Sequence, residues 1–277
     1  MKTPPTICII GSGNMGSSLI GGLIANGHPT NKLWVADPSP ASLAHIAEKW
    51  GVNTTTDNAT AIKDANIAIF AVKPNILHTI ALELAPYIQE QQTLVISVAA
   101  GVRVSSLSAW LGNQIAIIRS MPNTPALIGC GATALYANPH VNAQQLEEAE
   151  TILRAVGLVV WIEDETLMDA ITALSGSGPA YFFFMMEALQ QAGESLGLPK
   201  DIARILTLQT ALGASRMALE SKESLSELRK RVTSPGGTTE KALQVLTDSN
   251  LQAIFQDAIL AAKNRSEELA NQLAESS

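Results

Sequence analysis

Short aliphatic runs alternate with helical spacing through the first half of the chain. Residues 6–10, 32–36, 66–72 ("NIAIFAV"), 94–98 and 115–118 each read as a strand. The charge-free run at 66–72 suits a strand covered on both faces, as in a parallel sheet. Between these runs apolar residues recur at helical spacing: Leu19, Ile20, Leu23 and Ile24, then within 41–50, 76–84 and 105–111. Strand alternating with helix predicts an α/β architecture, a doubly wound parallel sheet. From Thr166 onward strand signals stop. Helical stretches follow at 166–174, 182–196, 201–220, 224–230, 238–246 and 251–273. The pattern predicts a first domain over 1–164 and an all-helical one over 165–277. Several helices, such as the one within 203–219, are apolar around much of their circumference and need cover on more than one side. An interlocked homodimer through the helical half is therefore expected.

The first strand runs into "GSGNMG", Gly11 to Gly16, and a helix follows. A lone GxGxxG is a weak signal, but strand before and helix after is the context of a dinucleotide fingerprint. Gly11 would make the tight turn, Gly13 would admit a pyrophosphate, and Gly16 would let helix pack on sheet. Asp37 ends the second strand, where a carboxylate can accept from a ribose 2′-hydroxyl. That favours NAD(H), and "ADPSPAS" offers no Arg for a 2′-phosphate. Beside Pro38 and Ser39, Asp37 also reads as an ordinary acid at a helix start.

Composition narrows the partners. With 277 residues, 47% hydrophobic and 16% charged, the chain can build two cores, and a net charge of −7 argues against nucleic acid. No run approaches the ~18 apolar residues of a membrane span. The N-terminal apolar run is too short for a signal peptide. Cys8 and Cys130 lack a CxxC spacing, so reduced thiols and a cytoplasmic setting are expected. The four histidines show no metal spacing, and no metal is expected.

Two breaks interrupt the helical half. "SGSGPAY", residues 175–181, reads as close helix packing or as room for a ligand beside Ser175 and Ser177. "SPGGTT", residues 234–239, is costly between helices, because Gly loses about 1 kcal/mol and Pro about 3 against Ala. Bare N–H groups at a helix start make an anion cradle, which would repay that cost.

Three segments together, "RSMPNTPALIGCGAT" (119–133), "LSGSGPAYFF" (174–183) and "SPGGTT", with "IIGSGNMG" and "AVKP" ahead of them, make the chain resemble the pyrroline-5-carboxylate reductases. The likeness spans first strand to last helix. It implies reduction of a cyclic imine to L-proline, the last step of proline biosynthesis. It also implies a Rossmann domain, a helical dimerisation domain and, in some members, rings of dimers. The implied cofactor site comprises Gly11, Ser12, Gly13, Asn14, Met15, Gly16, Ala36, Asp37, Asn58, Ala71, Val72, Lys73, Pro74, Ala99 and Asn123. The implied substrate site comprises Ser234, Gly236, Gly237, Thr238 and Thr239, with Glu165 as an upstream acid and Thr239 at the ring nitrogen. NADPH is the implied cofactor, with NADH often accepted. Asp37 departs from the small or basic residues frequent at that loop, and Arg231 from a common neutral one. Two other readings are a hydroxyacid dehydrogenase of related architecture and a dinucleotide sensor without turnover. The first generally needs a Lys or acid where residues 172–179 offer hydroxyls and glycines.

Overall fold

The computed structural model describes residues 4–275. In chain order the first half contains β1 (Ile7–Ile10), α1 (Asn14–Ala25), β2 (Leu33–Ala36), α2 (Pro40–Trp50), β3 (Asn53–Thr55), α3 (Asn58–Ile62), β4 (Ile67–Phe70), α4 (Pro74–Gln91), β5 (Leu94–Ser97), α5 (Val104–Leu111), β6 (Ile117–Met121), β7 (Gly131–Ala137), α6 (Ala143–Arg154) and β8 (Gly157–Trp161). The second half contains α7 (Met168–Ile171), a π-helical segment (Thr172–Gly176), α8 (Gly178–Ser195), α9 (Lys200–Glu220), α10 (Leu225–Arg231), α11 (Thr238–Asp248) and α12 (Leu251–Glu275).

All eight strands form one sheet in the order β3-β2-β1-β4-β5-β6-β7-β8. Side-chain alternation splits each central strand between two cores. Ile7 and Ile9 of β1 join a layer with Leu19 and Leu23 of α1, Ile46 of α2 and Ile152 of α6. Cys8 and Ile10 join the opposite layer with Ile62 of α3, Leu77 and Leu84 of α4, and Leu107 of α5. Cover on both faces is why these strands read as continuous apolar runs. Burial pushes the Cys8 thiol up, so it stays protonated and inert.

One pair departs from the parallel pattern: β6 and β7 run antiparallel. The connection from Met121 to Gly131 is shorter than the dozen or more residues a parallel crossover needs, so the chain must fold straight back. β8 then pairs parallel with β7 through the α6 crossover.

By compactness the chain forms two units, one holding residues up to Ser177 together with those from Ala261, the other Gly178–Leu260. This spatial division differs from the sequence boundary at 164/165. The segment after β8 stays with the sheet because Asp169, buried, accepts from Ser266 Oγ at 2.6 Å, while Arg103 donates to Asn271 Oδ1 at 2.8 Å. The last part of α12 is thereby fastened to the first unit. Within the second unit α8 and α9 approach closely, with space at Gly193 for only a Cβ beside Ala203 and Leu198. That unit leaves Phe183, Phe184, Leu212 and Leu219 well exposed, the last at 82%. A surface this apolar marks an interface.

Candidate active site

The strand order reverses at β1, with β2 on one side and β4 on the other, which opens a crevice at the carboxyl ends of these strands. Gly11 sits there with φ +103, a conformation side chains avoid, and an added Cβ would lie 2.5 Å from the Ala71 carbonyl oxygen. A Cβ on Gly16 would lie 2.1 Å from the Gly11 carbonyl oxygen, so α1 starts in direct contact with the turn. Around Gly13 there is open space. The cap position of α1 is Gly13 and carries no side-chain cap, which leaves the N–H groups of Asn14, Met15 and Gly16 directed to an incoming anion. Met15 also packs against the core. The remaining cofactor positions gather on the same edge. Ala36 accepts the Gly11 N–H at 2.8 Å, Asn58 opens α3, Ala71 to Pro74 lead from β4 into α4, and Ala99 lies buried just beyond β5. A dinucleotide fits these residues: the backbone clears its pyrophosphate path and supplies uncapped donors.

Asp37 stands at a helix start, as its second reading had it, and also holds Ser12, which sequence reading did not foresee. Its Oδ2 accepts both the Ser12 N–H (2.9 Å) and the Ser12 hydroxyl (2.8 Å), and its Oδ1 accepts the Ser39 N–H (2.9 Å). Burial pushes the carboxyl up, but these hydrogen bonds outweigh it and hold the group below the ordinary carboxylate range. A carboxyl depressed on folding contributes stability above its unfolded value and loses it as pH falls through the folded one. Asp37 thus ties the phosphate turn to the start of α2. Replacing it with Ala is expected to weaken NADPH and NADH alike, by about tenfold for roughly 1.4 kcal/mol of lost bracing, as calorimetric titration of each would show.

A cleft of about 660 Å³ lies beyond β4 and β5, lined by Lys73, Asn75, Gly101, Thr172, Ser177 and Arg265 among others. Ser177 faces this space. Ser175 does not line it. Its carbonyl accepts from Asn123 Nδ2 at 3.2 Å, while Asn123 Oδ1 accepts the Ala132 N–H at 2.9 Å. Asn123 therefore clamps β7 to the π-helical segment, a geometry common where function distorts a helix.

Glu165, expected as a substrate contact, has partners within the chain. Its Oε1 accepts from Arg119 Nη1 at 2.8 Å and from the Val104 N–H at 2.9 Å, pairing a buried cation and capping α5. Arg119, in the motif but not singled out from sequence, is only 4% exposed.

In the second unit, Ser234 to Gly237 form a type II turn with Gly236 at φ +69. The Ser234 carbonyl accepts the Gly237 N–H at 3.0 Å. The expected donation from Gly237 to a ligand is therefore corrected, because that N–H closes the turn. Gly237 caps α11 without a side-chain bond, so the free donors are the N–H groups of Thr238 and Thr239. Among the described residues, the hydroxyls of Ser234, Thr238 and Thr239 have no partner within the chain. Arg231 forms a paired contact with Glu223 at 3.0 and 3.1 Å.

A glycine turn, an uncapped helix start and a strand-end acid at this crevice define a Rossmann-type oxidoreductase domain for a nicotinamide dinucleotide. Residues 6–101 match the family described as NADP oxidoreductase coenzyme F420-dependent, and residues 165–269 match pyrroline-5-carboxylate reductase dimerisation. The pyrroline-5-carboxylate reductase of Pseudomonas aeruginosa is 48% identical over 98% of this chain and 99% of its own. The structure of one from Coxiella burnetii superposes with a TM-score of 0.93 at 48% identity, covering 96% of this chain and 99% of that one. The Plasmodium falciparum enzyme, solved with NADP bound, gives 0.84 at 29% identity over 96% and 98%. The chain belongs to the pyrroline-5-carboxylate reductase family.

Proposed function

We propose that the protein reduces pyrroline-5-carboxylate to L-proline with NADPH, the last step of proline biosynthesis, and accepts NADH as well. The observation that carries this reading is the pairing of two anion seats in one chain, the glycine turn before α1 and the SPGGTT turn before α11, with family membership over the whole length. The first seat holds the dinucleotide through Gly11 to Gly16, with Ala36, Asp37, Asn58, Ala71 to Pro74 and Ala99 around it and Asn123 fixing the floor. The second holds the substrate's carboxylate through the Thr238 and Thr239 N–H groups and the Ser234 hydroxyl. Gly236 supplies the left-handed bend the turn requires. The reduced nicotinamide supplies the hydride. Thr239 offers its hydroxyl to the ring nitrogen. A cyclic imine arrives already protonated, so orientation is the chain's main task, and positioning can contribute ~7–11 kcal/mol.

The assembly belongs to the same reading: a homodimer through the helical unit, with rings of dimers above it, which light scattering on the purified protein checks. The exposed thiol of Cys130 accords with a reducing, cytoplasmic compartment. The activity test mixes protein, NADPH and pyrroline-5-carboxylate and follows the absorbance of the reduced cofactor. Consumption with this imine but not with 2-keto acids is the expected result. Consumption only with keto acids would favour a hydroxyacid dehydrogenase, and none at all a sensor. Thr239→Val is expected to lower kcat/KM about 10–100-fold, some 1.4–2.7 kcal/mol, without abolishing turnover. Unchanged kinetics at saturating NADPH would remove Thr239 from the mechanism.

A further inference from the structure

The SPGGTT turn already holds a carboxylate, and it is the chain's own. Glu240, in the first turn of α11, reaches back so that its Oε2 accepts the Gly236 N–H at 2.9 Å. In a capping box the acid at this position would bond the cap residue itself. Here the cap N–H, that of Gly237, is closed on Ser234, so Glu240 passes over it to the next donor back. Its side chain is exposed and makes no ion pair among the described residues, so a swing into solvent breaks one hydrogen bond. The neighbouring cations are engaged elsewhere, Lys241 with Gln244 and Arg231 with Glu223. A second carboxylate arriving at the same helix start meets Glu240 at short range, and like charges there repel.

We propose that Glu240 is an internal competitor for the substrate's acid group: it occupies the Gly236 donor until the incoming carboxylate displaces it. This rests on the reading that SPGGTT seats that carboxylate. Once Glu240 has swung away, the Gly236 N–H joins those of Thr238 and Thr239. A simple anion must then displace Glu240 with nothing but its charge. A substrate that also engages Thr239 through its ring has a further contact to offset the loss. Displacing Glu240 costs both alike, but its charge repels a doubly charged anion such as sulfate more than the single carboxylate of the imino acid, so Glu240 favours the substrate over such anions at the expense of a higher KM.

The test uses the full-length protein with Glu240→Gln, which keeps the shape and the acceptor but removes the charge, and Glu240→Ala, which removes both. KM for pyrroline-5-carboxylate is expected to fall about 3-fold in both, with kcat moving less than 2-fold, and competitive inhibition by sulfate to tighten about 5-fold. A KM that rises shows that Glu240 holds the turn in its binding shape, and an unchanged KM shows that it does not contend for the seat. Either result overturns the proposal. Ser234→Ala separates the two layers. If it raises KM while the Glu240 variants fail to lower it, only the competition falls; if it leaves KM untouched, the seat itself falls, and the competition with it.

Discussion

Gly16→Ala is expected to weaken dinucleotide binding and destabilise the protein together. The new methyl would sit 2.1 Å from the Gly11 carbonyl oxygen, a backbone atom that cannot turn aside, and 3.5 Å from the Ile9 side chain. α1 must back away from β1, which lifts the Asn14, Met15 and Gly16 N–H groups off the pyrophosphate path. Overpacking of this kind costs about 1–3 kcal/mol in stability. Loss of the aligned donors is expected to weaken NADPH binding by 100-fold or more, about 2.7 kcal/mol, in calorimetric titration. Gly13→Ala is the informative contrast. Nothing lies within 4 Å of its added methyl and its φ of −64 suits any residue, so the melting temperature should hold while NADPH affinity falls. Equal loss of stability in both variants would show that the turn tolerates no side chain for reasons of folding alone.

Glu165→Ala is expected to cost about 3–5 kcal/mol, because it strands the Arg119 cation in the interior. The pair is asymmetric: the Arg119 side chain is 5% exposed and that of Glu165 22%. Arg119→Met, which removes the deeper charge and leaves Glu165 capping α5 with access to water, should cost less, about 1–2 kcal/mol. The double variant Arg119→Met with Glu165→Ala should therefore be more stable than Glu165→Ala alone. Urea unfolding of the unsubstituted protein, the two single variants and the double measures the coupling. The same series decides what Glu165 does. If Glu165→Ala kept its stability and instead raised KM for the imine, Glu165 would belong to the substrate site that sequence resemblance gave it.

These two sites also mark how far the sequence could be read. The glycine turn was legible because its chemistry is local: strand, GSGNMG and helix follow within twenty residues, and backbone geometry at Gly11 and Gly16 is set by neighbours in the chain or one strand away. The SPGGTT turn was legible for the same reason, as a costly break ahead of a helix start; its type II bend came from the structure. Its hydrogen bonds were not legible. Which N–H closes the turn and which meets Glu240 depends on the helix phase of α11, although the acid three residues past Gly237 has the spacing of a cap and could have been noticed. The ion pair of Glu165 was not legible because its partner Arg119 stands far away in the sequence, on β6. β7 and β8 were missed as well. "GATALYA" is built from small residues with weak strand signal, and "GLVVW" is a short run just ahead of Thr166, where the helical half was expected to begin.

The sequence by itself determined the alternation of strand and helix, the two-core burial of the central strands, the family and the two glycine turns at helix starts. Each of these is written in periodicity or in the conformational demands of a few contiguous residues. Only the tertiary structure decided the reversal at β7, the fastening of α12 to the first unit through Ser266 and Asp169, and the work of Asp37, Asn123 and Glu165. Those depend on polar groups that must find partners once buried, and which partner stands nearest is settled by how the chain packs rather than by the order of its residues.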